Sequence, residues 1–533
     1  MPRYLDIDLT PEQYATPDLM SQAVARRLGL RSGDVAHIAV QHRSLDSRRG
    51  RLLYHTQVAT YGVGEKYMTP DHDGHYQDCR HRPAVVIVGA GPAGLFAALK
   101  ALQVGLRPVV IERGKSVEER KYDIARIARE QEVDANSNWC FGEGGAGTYS
   151  DGKLYTRSTK RGNVHEVLER FVEHGADPAI LIDAHAHIGT DRLSGIIAAM
   201  RSTIEGYGGE YHFSSHVVDL LVKDDGASRR VYGVACADGT RYEGIAVVLA
   251  TGHSARDIYR LFYDHGWMLQ AKPFALGIRV EHPQPLIDEI QYHLHNPESR
   301  AQHRFLPPAA YSLTTQVEGH GVFSFCMCPG GVIVPAATAP GQQVVNGMSN
   351  SRRNSPFANS GIAVTVSLED VPQYAAFGDL ALLHFQQDVE EQLFHAMGDI
   401  LASPLQRLTD FCESRTSSSN NKSNYMGTTV NAPVHELLPP FVVRGLQQGL
   451  RQFDQRMRGF YTSQASVLAV ESRTSSPVRI PRGDDMQHPQ LQGLYPCGEG
   501  AGYAGGIVSS ALDGMNAMDN VYHNANIDKV LDI

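Results

Sequence analysis

The sequence predicts an α/β protein: a domain on a parallel sheet, interrupted by an inserted mixed α+β domain and preceded by a small α+β module. Three observations predict it. AVVIVGAGPAGLFAALKALQVGLRPVVIER, starting at Ala84, is an apolar strand, a glycine turn, an alanine-rich helix and a second apolar strand, the opening of a parallel sheet buried on both faces. Near the C-terminus, GLYPCGEGAGYAGGIVSSALDGMNAMDNVY returns to the order strand, glycine turn, helix. The first residues, up to about 80, read as β, α, β, β with turn signals of their own.

A chain of 533 residues, 42% hydrophobic and 20% charged, has material for large cores and a length suited to two or three domains. Its net charge of -9 argues against wholesale binding to nucleic acid or anionic membrane, leaving only a local basic patch open. MPRYLDIDLTPEQY lacks the layout of a signal peptide, and no apolar run reaches the ~18 residues that span a bilayer, so a cytoplasmic location is expected. Seven cysteines, an odd count with no CxxC, make neither a disulfide framework nor a zinc ribbon, and no metal site is expected.

In the first module YLDIDL alternates like a strand. Thr16-Pro17-Asp18 offers an N-cap, a proline at the first helical position and an early acid ahead of the amphipathic LMSQAVARRLGL. DVAHIAVQHRSL and RLLYHTQVATYG follow as strands joined by the polar DSRRG, and the βαββ order suggests a ferredoxin-like module. Met68 to Pro83 is polar, His-rich and without period, and reads as a solvated linker. Residues 1–80 are thus module and linker, 84–267 the first part of the nucleotide domain, 268–470 the inserted substrate domain and 471–533 the returning C-terminal part. The inserted part starts strand-rich (FALGIRVEHP, VFSFCMCPGGVIVP, QVVNGMS) and then turns helical (LALLHFQQDVEEQLFHAMGDI).

Gly89-Ala90-Gly91-Pro92-Ala93-Gly94 matches GxGxxG. It follows a strand, opens a helix, and has Glu112 at the end of the next strand about twenty residues on, where a dinucleotide-binding fold places its ribose-binding acid. Gly89 permits the tight turn, Gly91 lets the backbone approach a pyrophosphate, and Gly94 lets helix pack on strand. Gly500-Ala501-Gly502-Tyr503-Ala504-Gly505 matches the same pattern, but no second strand with an acid follows it. It fits instead a strand ending at Cys497-Gly498-Glu499 and a helix from about Gly506, whose N-terminus can stabilise the negative charge of a reduced flavin.

The GAGPAG turn with Glu112, the ATG at Ala250 to Gly252 and the late CGEG resemble the FAD-binding, Rossmann-like flavoproteins of the glutathione-reductase-like superfamily. From Ala84 nearly to the C-terminus, FGEGGAGTYSDGKL, NGMSNSRRNSPFANSG, ESRTSSPVRIPR and YPCGEGAGYAGGI resemble a bacterial family of uncharacterised FAD-dependent dehydrogenases. The resemblance implies noncovalent FAD. It implies cofactor contacts from Gly89, Gly91, Pro92, Ala93 and Gly94 in the turn and from Glu112 and Arg113 after the second strand. Gly144, Gly145, Ala146, Asp151, Gly152 and Lys153 then lie along the cofactor, with Asp151 and Lys153 available to flavin or substrate; a mobile surface loop is the competing reading. Val217, Ala250, Thr251 and Gly252 complete the set with Gly498, Glu499, Gly505, Gly506 and Ile507. Unlike the disulfide reductases of the superfamily, the chain has no second internal nucleotide domain and no CxxC or CxxxxC.

The sequence fixes no catalytic residue; Lys153, Arg473 and Cys328 are candidates. Cys326 and Cys328, at i and i+2 of a strand, would share a face with Cα atoms roughly 6.5 Å apart, at the wide limit for a disulfide. They read as two buried core cysteines, with a thiol near the flavin as the alternative. Arg352, Arg353 and Arg473 have forked donors suited to an anionic substrate, a solvated face being equally compatible with the Arg352-Arg353 pair. The expected function is an FAD-dependent oxidoreductase, a dehydrogenase or reductase passing a hydride between flavin N5 and an unidentified small-molecule substrate. Two alternatives stand beside it: an RNA-binding flavoprotein using Arg43, Arg48, Arg49 and Arg51 of the first module, and a non-enzymatic redox sensor.

Overall fold

The computed structural model describes residues 2–68, 71–156, 162–224, 226 and 228–525. Its nucleotide domain is built on a five-stranded parallel sheet, ordered in space Leu494–Pro496, Val247–Leu249, Ala84–Val88, Arg107–Ile111, Glu210–His212. Val85, Val86, Ile87, Val110, Val247 and Val248 are fully buried, as an apolar run covered on both faces requires, by helices on one face and largely by an antiparallel meander on the other. The chain leaves Ala84–Val88 toward one side of the sheet, and Val247–Leu249 occupies the other. The C-terminal end of Ala84–Val88, where the glycine turn sits, is therefore the switch point of the sheet.

Helix Pro92–Gln103 packs against helices Thr190–Gly206 and Ile507–Asn524. The second contact is as close as backbone allows: a Cβ on Gly514 would lie 2.0 Å from the Ala93 carbonyl oxygen. A three-stranded antiparallel meander, Val217–Asp224, Arg229–Cys236 and Arg241–Glu243, leads into Val247–Leu249.

The inserted domain is a seven-stranded sheet, ordered Thr314–Val317, His320–Cys328, Phe357–Val366, Phe274–Pro283, Ser466–Glu471, Ala402–Arg407, Thr428–Asn431, antiparallel except for its last pair. Helix Pro440–Arg456 lies on one face, with Gly445 and Gly449 giving room to Val364 and Val322. Where the chain passes into this domain and back, Gln270–Ala271 and Val478–Arg479 pair as an antiparallel ribbon.

The first module is a three-stranded antiparallel sheet ordered Arg3–Leu9, Leu53–Gly62, Val35–Asp46. The third strand lies between the other two and antiparallel to both, with helices on the first connection. The expected single helix is two: Thr10 caps Pro11–Ala15 through its side chain in a capping box with Gln13, while Thr16, before Pro17–Leu28, makes no side-chain cap. The module docks through Arg43, whose guanidinium donates to Asp183 of the nucleotide domain at 2.7 Å and to Tyr14 at 2.9 Å. Arg48 pairs with Asp46, Arg51 is exposed, and the Arg49 side chain lies outside the described residues.

The stretch before the nucleotide domain is not a solvated linker. Glu173 accepts from the Gly74 N–H and the Tyr76 hydroxyl, Arg170 donates to the His72 carbonyl, and Cys79 is fully buried, so the segment is pinned along helix Val164–Glu173. No cluster of His, Cys, Asp or Glu among the described residues is arranged to hold a metal ion, and no described helix is long and apolar enough to cross a membrane.

Candidate cofactor and active site

The site begins at the glycine turn. Gly89 has φ +104°, a conformation that favours glycine, and a Cβ there would lie 2.5 Å from the Ala250 carbonyl oxygen, so the turn and the end of Val247–Leu249 are pressed together. A Cβ on Gly94 would sit 1.8 Å from the Gly89 oxygen; this glycine serves the packing of helix on turn. Gly91 is different: the nearest atom to a Cβ there is the Gly145 Cα, at 3.9 Å, and its open side faces a cavity of about 360 Å³.

Two helices aim their N-termini at that cavity. Neither Pro92–Gln103, with Gly91 at its N-cap, nor Ile507–Asn524, with Gly506, has a side-chain cap, so each presents N–H groups and partial positive charge to whatever lies there. A glycine cradle with helix N-termini facing it suits a pyrophosphate. The residues present fit the dinucleotide that the turn predicts.

Glu112 is buried, and its carboxylate accepts from the backbone N–H groups of Ala90, Gly114 and Gly142, each at 2.9 Å. The acid expected to bind ribose therefore also clamps the turn to the glycine-rich loop. Three of its roughly four lone-pair sites are used.

That loop is held by a residue the sequence did not point to. Arg120, on helix Val117–Glu130, is fully buried, and its guanidinium donates to the carbonyls of Asn138, Gly142, Glu143 and Gly145. Gly142, Gly144 and Gly145, at φ +112°, +78° and +59°, turn these carbonyls inward. Glu143 is fully buried and accepts from Val117 N–H at 2.9 Å, with Arg201 at 3.2 Å. Burial, only partly offset by these partners, pushes its carboxyl up to about 7.

Of the residues expected at the cofactor, the cavity wall contains Gly89, Gly91, Pro92, Ala93, Glu112, Arg113, Gly145, Ala146, Asp151, Gly152, Lys153, Val217, Ala250, Thr251, Gly252, Gly498, Glu499, Gly505, Gly506 and Ile507. Gly94 and Gly144 stand behind it; a Cβ on Gly144 would meet Thr148 Oγ1 at 2.0 Å. Asp151 and Lys153 are on the wall but already have partners. Asp151, 1% exposed, accepts from Arg353 Nε at 3.0 Å, and Lys153 Nζ donates to the Met327 carbonyl. Burial would raise the Asp151 carboxyl, but Arg353 and Lys153 outweigh it and hold the group below the ordinary range. Arg353 is thus a half-buried ion-pair partner, whereas Arg352 is exposed.

Arg473 also lies on the wall without being free for an anion. It donates to Glu390, Ser254, Thr338 and Gln342, and Glu390, fully buried, takes Arg256 and the Ser472 hydroxyl as well. Cys328 is fully buried behind the wall, whereas Cys326 faces the cavity, so the expectation of two core cysteines fails for one of them.

Sequence reading also passed over His253 and Asn346. His253 follows the expected Ala250–Gly252 segment directly, lies on the wall 9% exposed, has Nδ1 3.5 Å from Glu499, and its Nε2 has no hydrogen-bond partner. Asn346, with Phe325 and Cys326, belongs to the inserted domain, which therefore closes the far wall of the cavity opened by the glycine turn.

Residues 273–474 match a family described as FAD-dependent protein, C-terminal domain-like, and residues 1–61 match a domain of unknown function. An uncharacterized protein of Clostridium beijerinckii is 35% identical over 532 residues, covering 96% of this chain and 97% of its own. Among solved structures, a geranylgeranyl bacteriochlorophyll reductase-like protein of Thermoplasma acidophilum is 13% identical, covering 84% of this chain and 79% of its own with a TM-score of 0.34. CtdE in complex with FAD is 10% identical, covering 84% of each chain with a TM-score of 0.31. An open form of a flavocytochrome c3 fumarate reductase is 13% identical, covering 83% of this chain and 78% of its own with a TM-score of 0.33. The family match over the inserted domain and the cradle at Gly91 agree on FAD as the cofactor. With near-complete coverage at that identity, the chain belongs to the same family of FAD-dependent flavoproteins as the Clostridium beijerinckii protein.

Proposed function

We propose that the protein is an FAD-dependent oxidoreductase acting on a small molecule enclosed between its two large domains. The observation that carries this reading is the shared cavity: one wall holds the dinucleotide cradle, and the other is supplied by the inserted domain through Phe325, Cys326 and Asn346. Bound FAD supplies hydride transfer at N5. The chain's own residues do the rest. The N–H groups of Gly91, Ala93, Gly506 and Ile507 would hold the phosphates and a developing negative charge, and Glu112 keeps the turn in shape with one lone pair left for a ribose hydroxyl. His253, whose Nε2 is buried and unpartnered on the wall, is positioned to give or take a proton there. Arg473, tied to Ser254, Thr338 and Gln342 and sharing Glu390 with Arg256, builds a rigid polar wall.

The test is direct. Purified protein should be yellow and release FAD on denaturation, and anaerobic reduction of the bound flavin by a candidate substrate should be faster in wild type than in His253→Ala at unchanged flavin content. A colourless protein that binds no added FAD would overturn the reading.

A further inference from the structure

The strand His320–Cys328 is regular until its last residues. Phe325 pairs with Gly361 and Cys328 with Asn359, so one extra residue is accommodated between them, and Cys326 takes φ +44°, a backbone region that a cysteine rarely adopts. A bulge re-aims side chains. In a regular strand Cys326 and Cys328 would stand side by side on one face; here Cys326 lines the cofactor cavity, and Cys328 lies fully buried behind it. The two remain neighbours: the Cys328 thiol donates to the Cys326 carbonyl oxygen at 3.2 Å.

Two cations flank the bulge. Lys153 donates to the Met327 carbonyl and Arg279, fully buried, donates to the Cys326 carbonyl at 3.0 Å. The hydrogen bond from Cys328, with Lys153 and Arg279, lowers the Cys326 thiol well below its ordinary range, while its own bond to Cys326 and burial raise Cys328. One sulfur is thus favoured as thiolate and its neighbour as thiol. This division of labour belongs to reactive cysteines rather than to core packing.

We infer that Cys326 and Cys328 form a redox-active dithiol that exchanges two electrons with the FAD, with Cys326 facing the cofactor and Cys328 closing the disulfide behind it. The inference rests on the reading of the cavity as an FAD-dependent oxidoreductase site. The step balances without another reactant. As the Sγ–Sγ bond forms, the Cys326 thiolate and Cys328 thiol release two electrons and one proton, and oxidised FAD takes all three to become the reduced anion. Run in reverse, reduced flavin opens the disulfide. A bridge between residues i and i+2 is strained, and a strained bridge is easily reduced, which suits a relay and not a structural staple.

The experiment counts electrons. FAD-loaded protein is oxidised with diamide, freed of reagent and titrated anaerobically with dithionite. Wild type should consume twice as much reductant per flavin as Cys328→Ser or Cys326→Ser, with a long-wavelength charge-transfer band in wild type and Cys328→Ser midway through the titration. Equal consumption by flavin-loaded wild type and variants overturns the inference. If a variant does not hold flavin, wild type decides alone: after diamide and alkylation in denaturant, the peptide containing Cys326 and Cys328 should be unalkylated and lighter by two hydrogens, and alkylation at both positions overturns the proposal. Loss of the oxidoreductase reading would show separately, as protein without flavin, whatever the state of the thiols.

Discussion

Single residues at the cradle have separable duties, and substitution distinguishes them. Gly91→Val places a side chain in the space reserved for the pyrophosphate and should yield protein that folds but carries no flavin, read from the absorbance of the purified sample. Glu112→Ala leaves three buried N–H groups without their acceptor, so it should weaken FAD binding at least tenfold and also lower Tm. Arg120→Ala strips four carbonyls of one shared donor and should destabilise the fold by about 3 kcal/mol or more, an effect Arg120→Lys rescues only in part because an ammonium lacks the fork. A thermal melt close to wild type for Arg120→Ala would show that the loop is held by something else. The contrast with the sequence is instructive at this scale. Gly91 and Glu112 were legible because their meaning is set by neighbours within one βαβ unit. Arg120 was not, because an arginine on an amphipathic helix reads as a solvated face until the loop folds over it.

At the scale of elements, the helices carry the site. Gly514→Ala would put a methyl against the Ala93 carbonyl, so the C-terminal helix must shift on helix Pro92–Gln103 and stability should fall by about 1–3 kcal/mol. Helix Val117–Glu130 adds a pH dependence. Its first N–H donates to Glu143, whose folded-state carboxyl is raised to about 7 while the unfolded one titrates near ~4.3. Between those values the folded state binds more protons than the unfolded one, so stability falls as pH rises through this window and levels off above it. Comparing melting temperatures of wild type and Glu143→Gln from pH 4.5 to 8 should show the wild-type advantage shrinking with pH; a constant difference would refute the raised carboxyl. The parallel strands and the glycine-turn helix were readable from their apolar runs, but the bulge at Cys326 was not. HGVFSFCMC reads straight through as one strand, and only pairing with Phe357–Val366 shows the slip.

At the scale of the molecule, the described residues contain a single parallel nucleotide sheet, and its cradle is assigned to FAD. A nicotinamide donor would have to reach the flavin without a dedicated domain of the same kind. Stopped-flow mixing with NADH or NADPH should therefore show slow reduction that saturates weakly at millimolar donor. Fast reduction saturating at micromolar NADPH would point to a pyridine-nucleotide site in the inserted domain. The first module touches both large domains, through Arg43 to Asp183 and Glu12 to Gln302, while none of its described residues lines the cavity. The seven-stranded sheet, by contrast, was only half legible. Strands such as Ala402–Arg407 and Thr428–Asn431 are short, and long chain segments separate partners that the fold brings side by side.

The ribbon between Gln270–Ala271 and Val478–Arg479 has a mechanical consequence. Two domains joined by one strand can swing like a door; joined by two strands that are zipped to each other, they share a stiff two-ply strap. Wide gaping would first have to unzip it. Traffic into and out of the cavity is accordingly expected to pass by small local displacements of the wall segments, with the two sheets keeping their alignment.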